Sequence, residues 1–144
     1  LSLKDPAFVG VAGAAVSTCT EQLLIGQDAG TGGAAAMIDC VVIGKQAMVA
    51  TAANAQTGTI AIGHQALTAL TSGAGNTAVG YTALAACQTG ADNVVVGYQA
   101  GEDLTGSNCT FIGAGAGMQS TAGNNTAVGH DAGGSMTTWV VPAQ

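Results

Sequence analysis

Short aliphatic segments recur along the chain, each ended by a glycine and followed three residues later by an alanine. This aliphatic-Gly-x-x-Ala unit occurs seven times, and successive glycines are 18, 19, 17, 17, 16 and 16 residues apart. The glycines are Gly26, Gly44, Gly63, Gly80, Gly97, Gly113 and Gly129. A short period held over most of a chain is the signature of stacked repeats. The sequence therefore predicts a stack of similar coils and not a globular fold with one central site.

The three residues before each glycine have the character of a β-strand. Counting the glycine as zero, position −1 is always Ile or Val, and position −3 is aliphatic or Thr. These two positions share one face of a strand, and their β-branched side chains favour extended backbone. Position −2 is apolar as well, and a strand that is apolar on both faces is usually buried on both. We expect one face to fill its own coil and the other to be covered by another copy of the chain.

Polar linkers, and tight corners that carry an alanine in every repeat, separate the predicted strands. The glycine suits a tight turn, and the alanine at +3 implies a corner where a larger side chain would collide. The later linkers, such as 89–93 and 105–108, are built of turn residues. We predict an all-β fold, a parallel β-solenoid (β-roll) of about seven coils of 16–19 residues, each with two short strands and two turns.

The repeats are predicted to occupy residues 23–135. Residues 1–22 lie outside them and are predicted to form an N-terminal connector or cap, with a strand-like stretch at 8–11. Residues 136–144 are predicted to be a C-terminal cap or connector strand, because the end coils of a stack expose unpaired backbone. Within the first coils, 34–37 and 49–55 are compatible with a loop or a helical turn. The chain is expected to be a fragment of a longer polypeptide or a processed one, since it lacks an initiator Met and a signal peptide.

Composition narrows the function classes. Only 7% of the residues are charged and 3% aromatic, while 23 of 144 are glycine. Large apolar side chains are scarce, so the core of a single chain would be thin. Two lysines and a net charge of −6 do not make a phosphate-binding surface, so nucleic acid is not an expected partner. No run of 18 strongly apolar residues predicts a membrane-spanning helix, so no membrane insertion is expected.

The sequence contains no recognisable catalytic, metal-binding or cofactor-binding motif. The cysteines at 19, 40, 87 and 109 contain no CxxC pair and fit no zinc pattern. We expect small buried side chains there, and a disulfide between chains stays open as an alternative. The carboxylates scatter, and no nucleophile elbow or dinucleotide loop is present. We predict no enzyme activity, no catalytic, metal or cofactor-binding residue, and no cofactor.

One column of side chains is a candidate ligand face. The position after the repeat glycine carries Lys45, His64, Tyr81, Tyr98 and His130. In a β-roll this column follows one exposed edge, with Tyr81 beside Tyr98 and His64 one coil before them. Such rings can hold a sugar or a protein ligand, or they can simply cover turn backbone. The polar residues at +2 are expected to form either a hydrogen-bonding ladder or part of the same face.

Three segments carry a family resemblance. Residues 76–81, 93–101 and 125–130 resemble the head of trimeric autotransporter adhesins and the β-roll region of bacteriophage tail fibres. The likeness spans about 23–133, and the Tyr-Gln-Ala-Gly variant at 98–101 looks more like the phage group. The resemblance implies a parallel β-roll, three chains about one axis, and a role in contacting or reaching a host cell.

On this basis we expect a structural segment of a trimeric virion appendage, a phage tail fibre, that stiffens the fibre and positions or contributes to host-receptor binding. Its expected partners are two further copies of itself, other virion or fibre proteins, and a host cell-surface receptor or glycan. Its expected location is the extracellular virion. The alternative is the head of a bacterial trimeric adhesin at the cell surface. Hexapeptide acyltransferases fit less well because the spacing is not built of sixes, and ice binding fits less well because Val94 interrupts the Thr column.

Overall fold

The computed structural model describes residues 7–9, 22–31, 37–50 and 56–135. Within these ranges the chain consists of short strands and turns. The predicted C-terminal strand at 136–144, most of the predicted N-terminal cap, Cys19, and most of the two segments left open as loop or helical turn lie outside the described residues.

A single parallel sheet runs the length of the described chain. The strands of the described chain are β1 (Ala7–Val9), β2 (Leu23–Ile25), β3 (Met37–Ile38), β4 (Val41–Ile43), β5 (Gln56–Thr57), β6 (Ile60–Ile62), β7 (Thr77–Val79), β8 (Val94–Val96), β9 (Thr110–Ile112) and β10 (Thr126–Val128). The long sheet has the order β1-β2-β4-β6-β7-β8-β9-β10, and every neighbouring pair is parallel and in register, as in Leu24 beside Val42. About six turns of the coil separate β2 from β10, which confirms the predicted all-β parallel β-solenoid.

The second strand predicted for every coil is wrong for the later ones. In the described residues it occurs only as β3 and β5, which form a two-stranded parallel sheet. In the later coils this side is a corner without a strand. The residue at −5 is left-handed in all coils from that of Gly44 onward, with φ of 55° at Asp39, 56° at Asp92 and 61° at Asn108. Asp and Asn tolerate that conformation better than most residues. The corners still bond from coil to coil, as where the Asn108 N–H donates to the Ala91 carbonyl at 3.0 Å.

Position −2 of each strand points into the coil and packs against position +4 after the corner. In five of the seven coils the sizes of the two side chains compensate: Ala78 is paired with Leu84, whereas Phe111 is paired with Gly117. A Cβ on Gly117 would collide with the Phe111 ring, so the ring occupies the space that leucine fills in other coils. Interiors are packed close to crystal density, and this exchange of volume keeps a thin core full. The buried members of the two columns are Leu24, Val42, Ala61, Ala78, Val95, Phe111 and Ala127 with Met48, Leu67 and Leu84.

A second buried column stands at position −4, and it is mainly polar. Asn93 shows its function: its amide Nδ2 donates to Asn76 Oδ1 at 3.0 Å and to the Gly106 carbonyl at 3.1 Å, while its Oδ1 accepts from the Cys109 N–H at 2.9 Å. These bonds satisfy turn backbone inside the coil, where an unpaired polar group is costly. The column consists of Gln22, Cys40, Thr59, Asn76, Asn93, Cys109 and Asn125.

The three cysteines that the structure describes fit the expectation of small buried side chains. Cys40, Cys87 and Cys109 are all buried, and the Cys109 thiol lies 3.4 Å from the Ala122 carbonyl. Burial raises the pKa of both the Cys87 and the Cys109 thiol, because a thiolate loses its hydration there.

Exchanging the volumes of one core pair tests the packing rule. Phe111→Ala alone should lower the free energy of unfolding by about 3–5 kcal/mol through the cavity it leaves. Gly117→Leu alone should cost about 1–3 kcal/mol or more through overpacking. The double variant recreates the Ala78 and Leu84 pair, and Leu84 already has φ of 54° at this position. We expect it to regain at least about 2 kcal/mol over the sum of the two single variants, measured by urea unfolding. Strictly additive losses would refute the rule.

The buried thiols predict a loss of stability in alkali. Their protonated form is favoured in the fold, whereas an unfolded cysteine releases its proton near a pKa of about 8.5. The stabilisation is therefore complete below that pH and falls as the pH rises above it. In urea titrations at several pH values from neutral to about 10, the Cys87→Ala/Cys109→Ala variant should lose stability less steeply than the unmodified chain. Parallel slopes for the two proteins would contradict this assignment.

Candidate functional site: an apolar sheet face and an adjoining ring column

The outward face of the long sheet is apolar and carries no charge. We call it the sheet face, and define it as positions −3 and −1 of β2, β4 and β6 to β10. Eleven of its fourteen side chains are aliphatic and the other three are threonines. Its members are Leu23, Ile25, Val41, Ile43, Ile60, Ile62, Thr77, Val79, Val94, Val96, Thr110, Ile112, Thr126 and Val128.

The sheet face is partly open to solvent along its whole length in the single chain. All of its side chains are half-buried or exposed, and the exposed fraction rises to 65% at Val128 at the end of the described stack. With strands about 4.8 Å apart, six steps give an apolar stripe roughly 29 Å long. It is only two side-chain columns wide. Large contiguous apolar patches on soluble proteins usually mark interaction surfaces.

The repeat glycines hold the sheet face and the next corner in register. All seven have φ between 126° and 147°, a region that side chains other than hydrogen rarely allow. A Cβ on Gly44 would lie 2.6 Å from the carbonyl carbon of Gly63 in the next coil. The coils therefore approach more closely here than any larger residue permits, and the side chain that follows each glycine falls directly above its counterpart.

That following side chain forms a ring column, which we define as position +1 of each coil from Lys45 to His130. The His64 and Tyr81 rings are stacked with centroids 5.2 Å apart and planes 10° from parallel. The Tyr81 and Tyr98 rings are stacked at 5.3 Å and 14°. The predicted adjacency of these three residues is confirmed, although their role in binding stays a prediction. Stacked rings at this spacing attract each other beyond their simple burial.

The two remaining candidate residues do not join the stack. Lys45 is exposed and belongs to the coil before His64, as the bond from the Gln65 N–H to the Lys45 carbonyl shows. His130 stands two coils beyond Tyr98, with Ala114 between them, and its Nδ1 lies 3.0 Å from Asp131 Oδ2. The structure therefore brings three of the five candidates into one ring stack, with Lys45 one coil before it and His130 two coils beyond it.

The predicted ladder of polar side chains at +2 is present at a single step in the described residues. Gln65 Nε2 donates to Gln46 Oε1 at 3.3 Å. Two other +2 side chains turn to a neighbour within their own coil: Gln99 Nε2 donates to Glu102 Oε2 at 3.1 Å, and Asp131 Oδ2 lies 3.0 Å from His130 Nδ1. Every non-glycine residue at +2 is left-handed, with φ from 49° to 58°, which limits the directions these side chains can take.

Sequence reasoning missed the buried polar column at −4. Its signal was present, because that position carries only small or amide residues in all seven coils, but it looked like the polar end of a surface linker. In the described residues no group of three or more His, Cys, Asp and Glu side chains is arranged to hold a metal ion. The same residues include no helix that is long and apolar enough to cross a membrane.

Comparison of this chain with known proteins finds no relative. No family model matches this chain, and neither a curated protein nor a solved structure matches it. The likeness to phage and adhesin β-rolls rests on the sequence motifs alone.

Proposed function

We propose that the chain is a structural segment of a trimeric virion appendage, a phage tail fibre, that stiffens the fibre and positions or contributes to host-receptor binding. The observation that carries the proposal is the sheet face: an uncharged, apolar stripe as long as the described stack. A protein that worked as an isolated chain would gain nothing from leaving this surface open to water, where burial is worth about 25 cal/mol per Å².

A second copy of the same chain is the natural cover for the sheet face. Each copy presents methyl groups at the same coil spacing, so the side chains of two faces interleave along their whole length. A face with no charge avoids the cost of desolvating ions in such an interface. The two-column width makes each face a narrow ridge, and three ridges converging on one axis would each contact the other two.

The number of chains, the appendage and the location in the virion are supported by the family resemblance. A stack in which every coil bonds to the next resists bending and stretching, which suits a fibre that holds a tip at a distance. We infer no catalytic step, because the titratable side chains of the described coils are spread along the stack. The bacterial adhesin head remains the alternative function. A C-terminal membrane-anchor barrel in the longer polypeptide would favour it, whereas a chaperone or tail-attachment domain would favour the fibre.

Charge placed on the sheet face should prevent assembly. Ile62→Asp or Val79→Asp would bury carboxylates close together at the axis, at a cost of several kcal/mol per chain. Val94→Asp tests the same idea at a position that is exposed in the single chain, so the fold itself should tolerate it. Native mass spectrometry should give three times the 13.8 kDa chain mass for the unmodified protein and monomers for the variants.

Thr89→Asp is the matched control, because Thr89 is exposed on a linker corner away from the sheet face. It should remain trimeric, and circular dichroism should report β-structure for it and for Val94→Asp alike. A monomeric unmodified chain, or a folded trimer of Val79→Asp, would overturn the proposal. A dimer would overturn the three-chain arrangement.

A further inference from the structure

The ring column lacks a ring in one coil. Tyr98 and His130 stand two coils apart, and the residue between them in the column is Ala114. Hydrogen bonds fix this register on both sides, from the Gly115 N–H to the Tyr98 carbonyl at 2.9 Å and from the Asp131 N–H to the Ala114 carbonyl at 2.8 Å. The +2 column is also interrupted here, because Gly115 is its only glycine. The smallest residues of both columns therefore meet in one coil.

The result is a break in the ring column over Ala114, one coil step deep, which we call the slot. Two coil steps separate the backbones of Tyr98 and His130 by about 10 Å. A ring placed one step from Tyr98, over Ala114, would lie about 5 Å from the Tyr98 ring, within the range of stacked rings. The same spacing is realised one and two coils earlier, at 5.3 Å and 5.2 Å. Tyr98 has a ring neighbour on one face only, and its residue is 55% exposed against 46% for Tyr81, which has neighbours on both.

Polar groups stand at the rim of the slot. The carboxylate of Asp131 binds His130 through Oδ2 and directs Oδ1 into the space above Gly115 that a side chain at +2 would fill. On the opposite wall, Gln99 and Glu102 are joined side chain to side chain. An aromatic platform with carboxylate and amide groups around its edge suits a ring whose faces are apolar and whose edge carries hydroxyl groups.

We propose that the slot between Tyr98 and the His130–Asp131 pair binds one neutral pyranose ring of a cell-surface glycan. A pyranose with equatorial hydroxyls, of the gluco configuration, presents C–H bonds on its faces and hydroxyls around its edge. Its face stacks on Tyr98 over Ala114, and its hydroxyls donate to the carboxylate of Asp131. Acidic sugars are disfavoured, because Asp131 and Glu102 border the slot in a chain whose net charge is −6. This inference names a ligand for the attachment role proposed above and rests on that role.

The test is a titration of the full chain with cellotetraose, a neutral β-glucose oligomer, followed by NMR of the tyrosine rings. The Tyr98 ring resonances should shift with a dissociation constant of roughly 1 mM or below, as expected for a shallow single-ring site. Tyr98→Ala should weaken binding at least tenfold. Ala114→Tyr should complete the stack and abolish binding, since tyrosine already occupies this column in two other coils. Ala114→Ser leaves the slot open and is the matched control, with affinity unchanged within about twofold.

Each other outcome overturns the proposal. No response of the unmodified chain to cellotetraose, or equal binding by Ala114→Tyr, would remove the slot as the site. Equal affinity for tetragalacturonate would remove the preference for neutral sugars, and a response to N-acetyltyrosine amide in place of cellotetraose would make the occupant an aromatic side chain. Native masses of the same samples separate this inference from the proposed function. An intact trimer that ignores the sugar refutes only the slot, whereas a monomeric unmodified chain refutes the trimer whatever it binds.

Discussion

The zero-offset register between successive strands is the constraint on which the rest of this structure depends. Each strand residue pairs with its counterpart one coil away, and the same alignment continues through the glycine and around the corner, as the bond from the Gly97 N–H to the Val79 carbonyl illustrates. Residues at the same repeat position in successive coils therefore lie directly above one another. Columns of side chains, and not a single hydrophobic centre, are the units from which the protein is built.

This alignment explains why the chain tolerates so much unusual backbone. Thirteen non-glycine residues in the described ranges have positive φ, including the β-branched Thr82 at 49°. Each costs on the order of 1 kcal/mol in isolation. Because the turns must superimpose from coil to coil, the bonds between neighbouring coils and the buried Asn76 and Asn93 amides hold these residues in place. The side-chain hydrogen bonds of the buried asparagines and the backbone hydrogen bonds between coils offset this backbone strain, which a thin apolar core could not offset alone.

The same rule accounts for both surfaces of interest. A column repeats every property at intervals of about 4.8 Å, so a charge at one position would face a like charge in the next coil, and the chain is poor in charge. An apolar position becomes a stripe, which is the sheet face. An aromatic position becomes a stack, which is the ring column. A change at one coil, such as the alanine at position 114, interrupts the column at one step.

The sequence by itself determined the period, the strands and their parallel stacking, because β-branched residues at −3 and −1 followed by glycine leave the backbone few alternatives. It also placed His64, Tyr81 and Tyr98 in adjacent coils, since a repeat position translates directly into a vertical neighbour. It did not reveal which face of the strand turns inward. Both faces are apolar, and the alternation along a strand shows which residues share a face but not which face is interior. The tertiary structure decided that through volume: Phe111 fits only where Gly117 leaves room inside the coil. It also decided that the asparagines at −4 are internal, because only the closed coil shows that their amides donate to the corner carbonyls.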